Sequence, residues 1–219
     1  MTPASFVDSL ADIRLPNVFN PYAERCAVHD RSDAPRRRRA NLQAFLQAAI
    51  FEKVDTIWVA RDLGYRGGRR TGLPLTDEVH LGAAASCFSS LTFSRATKGP
   101  IVAERTAAIV WSVIARIGRP VFLWNVFPLH PHGPGDHLSN RCHTRTEREV
   151  CRPLLMELFT MLSIREVIAI GRDAQTGLAD LGVDASPIRH PSYGGQTEFI
   201  SGLYALYNVS SANEPARLI

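Results

Sequence analysis

Three short runs of apolar, β-forming residues alternate with helical segments in this chain, and each run leads directly into a polar loop. The runs cover residues 56–60, 120–127 and 167–170. Each is bounded by turn signals, as the buried strands of parallel sheets are. Strands that alternate with helices favour a parallel sheet with helices on both faces. The alternation predicts a three-layer α-β-α domain, in which an extended piece at 187–189 completes a central, mostly parallel sheet of four strands.

The segments between these runs carry helical signals. Helices are predicted at about residues 37–52, 78–90, 101–117, 144–162, 174–181 and 197–207. Thr144 or Thr146 can cap the fourth of them, and Thr146 with Glu149 has the spacing of a capping box. Prolines, asparagines and charges near the start predict an irregular N-terminal segment at 1–36. We expect one domain that covers residues 1–219.

Composition limits the kind of protein. With 219 residues, of which 45% are hydrophobic, the chain can bury a full core. It contains neither an apolar run of membrane-spanning length nor the apolar core of a signal peptide, so we expect a cytoplasmic monomer with no membrane contact. The cysteines have neither a C-x-x-C pair nor zinc-type spacing, and we expect no metal and no other cofactor. They are Cys26, Cys87, Cys142 and Cys151.

A loop rich in glycine and arginine follows the first predicted strand. Asp62 opens it, just beyond the predicted carboxyl end of the strand, where open α/β sheets bind their ligands. Its glycines allow a ligand to approach the backbone closely, and its arginines supply positive charge. The loop therefore predicts a phosphate-bearing partner. A second basic run, at 36–39, is either a solvated helix start or a nucleic-acid contact.

Polar groups stand at the ends of all four predicted strands. They are Asp62, Asn125, the pair 171–172 and His190. The carboxyl ends of parallel strands share one edge of the sheet, so these groups are expected to meet there. They offer a carboxylate, an amide that can both donate and accept, a helix N-terminus suited to phosphate, and an imidazole. This combination suits the recognition of a base in a nucleic acid.

Four short motifs in this order resemble the uracil-DNA glycosylase superfamily. Residues 60–64, ARDLG, are similar to the water-activating motifs G-Q-D-P-Y and G-x-N-P-G of two branches. Residues 123–125, LWN, resemble the strand that ends in the uracil-pairing asparagine. Residues 170–175, IGRDAQ, are similar to W-G-x-x-A-Q, and residues 190–192 read H-P-S, like the start of the family's DNA-intercalating loop. The resemblance covers about residues 55–199.

The resemblance implies a monofunctional DNA glycosylase, which hydrolyses the N-glycosidic bond of uracil in DNA and so initiates base excision repair. Asp62 and His190 would be catalytic. Asp62 would stabilise the sugar cation and orient the attacking water, and His190 would donate a hydrogen bond to the base oxygen. Asn125 would read the base, which must first be flipped out of the DNA stack. The implied DNA contacts are Arg66, Arg69, Arg70, Gly171, Arg172, Ser192, Tyr193 and Gln196. A lyase step is not expected, because Lys53 and Lys98 are the only lysines.

The chain departs from the family pattern around the base pocket. Gly64 stands where the uracil-specific branch has the tyrosine that excludes the thymine methyl group, and Tyr65 follows it. Substrates are therefore expected to extend to other deaminated bases, such as hypoxanthine. Leu75 stands where the family places a stacking phenylalanine, so Leu75, Tyr65, Phe88 or Phe127 would contact the base. Tyr193 or Gln196 would replace the missing apolar wedge after H-P-S.

Other interpretations of the same residues remain open. Asp62 and Asn125 could be turn residues, and His190 could be a core histidine. The tract that holds His130, His132 and His137 has no recognised metal spacing and is expected to flank the pocket or contact phosphate. Two other functions fit the pattern: a non-catalytic nucleic-acid-binding module that keeps the base pocket, and a metal-dependent hydrolase of nucleotides or phosphoesters.

Overall fold

The computed structural model describes residues 1–88 and 91–209. The helices in this part of the chain are α1 (Pro3–Ala11), α2 (Ala34–Phe51), α3 (Gly68–Thr71), α4 (Leu81–Ser86), α5 (Arg105–Ile117), α6 (Arg145–Leu162), α7 (Arg172–Asp180) and α8 (Gln196–Leu206). The strands are β1 (Val18–Phe19), β2 (Thr56–Asp62), β3 (Phe122–Phe127), β4 (His130–Pro131), β5 (Glu166–Ile170) and β6 (Ser186–Ile188). None of the described helices combines the length and apolarity needed to span a bilayer.

The central sheet has the strand order β3-β2-β5-β6, and all of its neighbouring pairs are parallel. Helices cover both faces, so the predicted three-layer α-β-α fold with four central strands is confirmed. Strands β1 and β4 form a separate antiparallel pair. Thr144, one of the two predicted caps, begins helix α6 with a capping box to Glu147, two residues earlier than the Thr146 pairing suggested.

Two tryptophans show how the layers are held together. Trp58 of β2 packs against α8, where the ring of Phe199 lies 6.3 Å away and Trp58 Nε1 donates to Tyr207 Oη at 2.8 Å. Trp58 is paired in register with Leu123, so Trp124 faces the opposite side of the sheet. There its ring lies 5.7 Å from that of Phe6 in α1. Both tryptophans are fully buried and anchor one helical layer each.

The structure corrects one strand boundary and fixes the position of one further residue that matter for the site. Strand β2 continues through Asp62, which is its last residue and not the first residue of the loop. Asn125 lies inside β3, two residues before its end. Strand β2 is longer than expected because it remains in register with β3 as far as the Asp62–Phe127 pair. The side chains of these two polar residues are therefore set by the sheet itself.

The N-terminal segment at 1–36 is not irregular throughout, as the sequence suggested. It contains α1, which starts with a capping box between Thr2 and Ser5, and it contains β1. Phe6 and Leu10 of α1 are fully buried, so the segment forms part of the core. The helix predicted at 78–90 is reduced to α4, and residues 89–90 lie outside the described part of the chain.

Replacing Gly72 by alanine is expected to lower the free energy of unfolding by about 2 kcal/mol or more. Gly72 ends α3 with a φ of 75°, and an added Cβ would lie 2.6 Å from Arg38 Cβ. Denaturant unfolding measures the change. Gly82→Ala in α4 is the matched control, since nothing lies within 4 Å of its added Cβ. Equal stability of the two variants would contradict the close packing of Gly72 on α2.

Candidate active site

One cavity of about 500 Å³ lies at the carboxyl edge of the central sheet, a size typical of small-ligand pockets. It brings together the following residues from the sequence prediction: Asp62, Leu75, Gly171, Arg172, His190, Ser192 and Tyr193. Residues that the sequence did not single out for this purpose line it as well, and they include Arg61, Glu104, Thr106, Asn140, Arg141, Asp173 and Arg189. Residues at the ends of β2 and β5 and in the segment after β6 therefore meet at this cavity, as the sequence predicted.

Asp62 is held from two sides. Its Oδ1 is hydrogen-bonded to His143 Nδ1, and its Oδ2 accepts from Arg61 Nε at 2.6 Å. Arg61 also donates through NH1 to Asp173 at 2.6 Å. The Asp62 side chain is only 6% exposed, and that of His143 only 4%. The carboxylate is thus fixed in position at the cavity wall by one imidazole and one guanidinium.

His190 also lines the cavity, and its contacts define its tautomer. The backbone N–H of Ser192 donates to His190 Nδ1 at 3.1 Å, and Ser192 Oγ lies 2.7 Å from the same nitrogen. Since Nδ1 accepts, the proton of the neutral ring is on Nε2. Burial, followed by the positive charges of Arg61 and Arg189, lowers the pKa of His190. The neutral imidazole thus has an N–H available to donate to a ligand.

Asn125 is buried with both of its amide atoms unpaired. The residue is 1% exposed, and neither Oδ1 nor Nδ2 has a hydrogen-bond partner in the described part of the chain. Its register partner on β2 is Ala60, which lines the cavity, so the two side chains lie on the same face of the sheet. An unsatisfied buried amide is costly, and a ligand that donates to it and accepts from it would remove that cost.

Glu104 supplies a second carboxyl group to the cavity. It immediately precedes α5, and its backbone N–H donates to Asp77 Oδ2 at 2.5 Å. Burial, followed by the negative charge of Asp77, raises the pKa of Glu104 to about 7. Its carboxyl group is therefore partly neutral at physiological pH, unlike an ordinary surface glutamate.

Two of the predicted DNA contacts lie inside the protein. Arg69 is 4% exposed, its guanidinium lies 4.1 Å from the centre of the Phe19 ring, and it bonds to the carbonyl of His137. Arg70 is 7% exposed and forms an ion pair of 3.1 Å with Glu78. This corrects the prediction: neither guanidinium is free to meet a phosphate, because each is paired within the core.

The second basic run is only partly built into the protein, since the Arg36 side chain is 77% exposed, and two histidines of the tract lie inside it. Arg38 forms a buried ion pair with Asp30, and Arg37 pairs with Asp33 at 2.8 Å. His130 and His132 are buried, and burial, together with Arg69, lowers the pKa of His130 to about 3. No histidine of the tract lines the cavity. These residues support the loops around the site and do not form its wall.

The predicted base contacts divide into three kinds. Leu75 lines the cavity with a φ of 54°. Phe88 does not, because it packs edge-on against Phe45 in the core, with ring centres 5.3 Å apart. Tyr65 is half-buried beside the cavity, where its backbone N–H donates to Asn140 Oδ1 at 3.1 Å. Of the apolar candidates, Leu75 is the one that the structure brings to the site.

The rim of the cavity carries exposed groups. Arg66 is exposed and donates to Tyr65 Oη at 3.1 Å, and Arg172 opens α7 directly after Gly171. Tyr193 is 98% exposed and has a φ of 51°. Gln196 opens α8 and accepts from Arg105 at 3.3 Å, which makes it a link between helices α8 and α5. The rim therefore offers two cations and one projecting aromatic ring.

Sequence reasoning missed His143 and Glu104 in particular. His143 lies just before the capping residue Thr144, and it meets Asp62 across 81 positions. Glu104 lies between Pro100 and the strong α5 pattern, in a segment without a local motif. For His143 one weak signal was present, namely a titratable side chain immediately before a predicted helix, whereas Glu104 fell inside the helix predicted at 101–117. That signal alone does not indicate a site.

No known family model and no curated protein matches this sequence. Among solved structures, the chain is similar to the crystal structure of wild-type Pedobacter heparinus SMUG2, with a TM-score of 0.61 and 15% identity. The match covers 95% of this chain and 99% of that chain. Identity this low establishes the fold alone. The match shows that the two chains share a fold over nearly their whole lengths.

Proposed function

We propose that this protein is a monofunctional DNA glycosylase that hydrolyses the N-glycosidic bond between uracil, or another deaminated base, and deoxyribose in DNA. One observation carries the proposal: a single cavity at the carboxyl edge of the sheet holds the fixed carboxylate of Asp62 and an imidazole donor on His190. Such a reaction develops positive charge on the sugar and negative charge on the base. The site has one group suited to each charge.

The chemistry follows from these two groups. The flipped nucleotide enters with its sugar towards Asp62 and its base towards His190. Asp62 stabilises the sugar cation and orients the attacking water, acting through its position and charge more than as a strong base. His190 donates from Nε2 to the base oxygen on which negative charge accumulates. In this proposal, Nδ2 of Asn125 donates to the base edge and Oδ1 accepts from it. These two hydrogen bonds explain why a buried amide without protein partners is tolerated.

One observation favours a second function. Both oxygens of Asp62 already accept hydrogen bonds, from His143 and Arg61, so the carboxylate has limited capacity for water. A non-catalytic module that binds DNA and retains the base pocket would require only the recognition groups. A metal-dependent hydrolase lacks comparable support, since the described residues contain no group of three or more potential metal ligands.

An excision assay tests the proposal. The protein is incubated in EDTA with oligonucleotides that carry uracil, hypoxanthine or xanthine, and alkali then cleaves the abasic product. Strand cleavage on uracil supports the glycosylase. No cleavage on any base, together with retained DNA binding, would favour the non-catalytic module. Cleavage that depends on added metal would favour the phosphoester hydrolase. Cleavage of uracil alone would contradict the wider range that Gly64 suggests.

Tyr193→Ala is expected to weaken binding of uracil-containing duplex DNA by about 5- to 150-fold and to affect single-stranded DNA less. The exposed ring is placed to fill the gap that a flipped base leaves, and stacking of this kind contributes about 1–3 kcal/mol per base. Fluorescence anisotropy measures both affinities. Tyr204→Ala in α8 is the control, since that residue packs against the core away from the cavity. Equal losses on both kinds of DNA would count against the wedge.

A further inference from the structure

We propose that the carboxyl group of Glu104 is a hydrogen-bond donor to the base in this cavity, and that it acts in its neutral form. The inference rests on the proposed function, because it gives a role to a residue of the same pocket. Glu104 lies in no motif that resembles the glycosylase superfamily.

Geometry places the Glu104 carboxyl against the loop that follows β2. It lines the cavity together with Asp62 and His190. A Cβ added at Gly64 would lie 2.9 Å from Glu104 Oε1, and one added at Gly67 would collide with Oε2. The carboxyl therefore occupies the space that a side chain at position 64 would fill. The two glycines leave room for an acidic group on this wall.

Hydrogen bonds among the described residues leave the Glu104 carboxyl available to a ligand. Among the described residues, neither Oε1 nor Oε2 of Glu104 takes part in a hydrogen bond or an ion pair. Nearby Asp77 is already occupied, as its Oδ2 accepts from the Glu104 backbone and its Oδ1 lies 2.6 Å from His80 Nδ1. A partly buried acid without an internal partner is a group that a ligand can pair with.

Charges around Glu104 come from several elements. Asp77, paired with His80, faces it from the loop before α4, and Arg66 faces it from the loop after β2. The charged and titratable groups elsewhere on the cavity wall or bound to it are Arg61, Asp62, Arg141, His143, Arg172, Asp173, Arg189 and His190. Burial and Asp77 raise the pKa of Glu104, whereas Arg66 opposes the rise, and the result is about 7. Neutral and charged forms therefore coexist near physiological pH.

The neutral form is the one that assists cleavage. The departing base gains negative charge, so a carboxylate beside it would oppose the reaction, whereas an O–H donor stabilises it. A neutral carboxyl also presents a donor and an acceptor together, as an amide does. Glutamine at position 104 would therefore reproduce the active form and remain uncharged at every pH. Alanine would remove the donor altogether.

Single-turnover excision of uracil across pH tests the proposal on four proteins: the wild type, Glu104→Gln, Glu104→Ala and the exposed-site control Glu149→Gln. Above about pH 7, the wild-type and control rates should fall by up to about tenfold per pH unit relative to that of Glu104→Gln. Glu104→Ala should be about 10- to 100-fold slower than wild type at about pH 6. A Glu104→Gln profile that matches the wild type, or a Gln variant as slow as the Ala variant, would overturn the proposal.

Binding of an uncleavable substrate separates this proposal from the proposed function. An oligonucleotide with 2′-fluoro-deoxyuridine resists hydrolysis because fluorine destabilises the sugar cation. Its affinity for the wild type should weaken from about pH 6 to about pH 8 more than its affinity for Glu104→Gln does. If no protein excises any base but this difference is found, the glycosylase fails and the Glu104 contact stands. If the two affinities change equally with pH, the Glu104 contact fails whatever the excision result.

Discussion

Asp62→Asn is expected to lower the single-turnover rate of uracil excision by at least about 100-fold and to leave DNA affinity equal or slightly higher. Asparagine keeps the size of the side chain and can still accept from His143, but it carries no charge to oppose the sugar cation. The carboxylate is only 6% exposed and is fixed from two sides, so a water molecule cannot readily replace it. Rapid-quench kinetics with excess enzyme measure the rate of chemistry directly.

Asp173→Asn is the matched control for this variant. Asp173 accepts from the same guanidinium, Arg61, at 2.6 Å, but its side chain is 62% exposed. Removal of this solvated charge should change the excision rate by less than about threefold. Thermal unfolding confirms that both proteins are folded. Similar losses in the two variants would mean that the Arg61 network matters as a whole, and the particular role of Asp62 would be contradicted.

The layered fold could be predicted from the sequence because its determinants are local. Each strand is a short apolar run with a turn signal, and each crossover helix has its own periodicity. The strand ends were harder to place, since hydrogen bonds to a neighbour decide how far a strand continues. Asp62 belongs to β2 because Phe127 pairs with it, and Phe127 is 65 positions away in the sequence. Polar residues at the end of an apolar run do not indicate such a pairing between strands.

The arginine-rich loop shows where sequence reasoning fails. A cluster of arginines beside glycines resembles a phosphate contact, yet Arg69 stacks on Phe19 and Arg70 pairs with Glu78. Both partners come from other segments, so no local pattern could distinguish these buried cations from the exposed Arg66. Burial of a cation requires a matched partner, and only the folded chain shows which of the clustered arginines have one.

The residues that complete the cavity wall were hidden for the same reason. Glu104 lines the cavity from the segment before α5, His143 contacts Asp62 from the segment before α6, and neither segment has a recognisable motif. Asp62 and His190 line the cavity as predicted, because they stand on or next to strands whose direction could be inferred, whereas Asn125 is buried in β3 and is not among the lining residues. Positions fixed by the sheet can be predicted from pattern, whereas positions fixed by loop packing cannot.

His190→Ala is expected to reduce the excision rate by about 100- to 1000-fold, the effect of removing one donor from a site of developing negative charge. The effect should fall on the rate of the chemical step and not on substrate binding, because the base oxygen becomes a strong acceptor only as the bond breaks. Comparison of single-turnover rates with the affinity for 2′-fluoro-deoxyuridine DNA separates these two contributions. An equal loss in both would indicate a role in binding alone.

Ser192→Ala provides the finer comparison for His190. This variant removes the hydroxyl near Nδ1 but retains the backbone N–H that donates to the same nitrogen at 3.1 Å. The proton therefore stays on Nε2, and the rate should fall by less than about tenfold. A Ser192→Ala rate as low as that of His190→Ala would show that the backbone contact does not hold the tautomer. Wild-type activity in His190→Ala would remove the imidazole from the mechanism and favour donation from Glu104 alone.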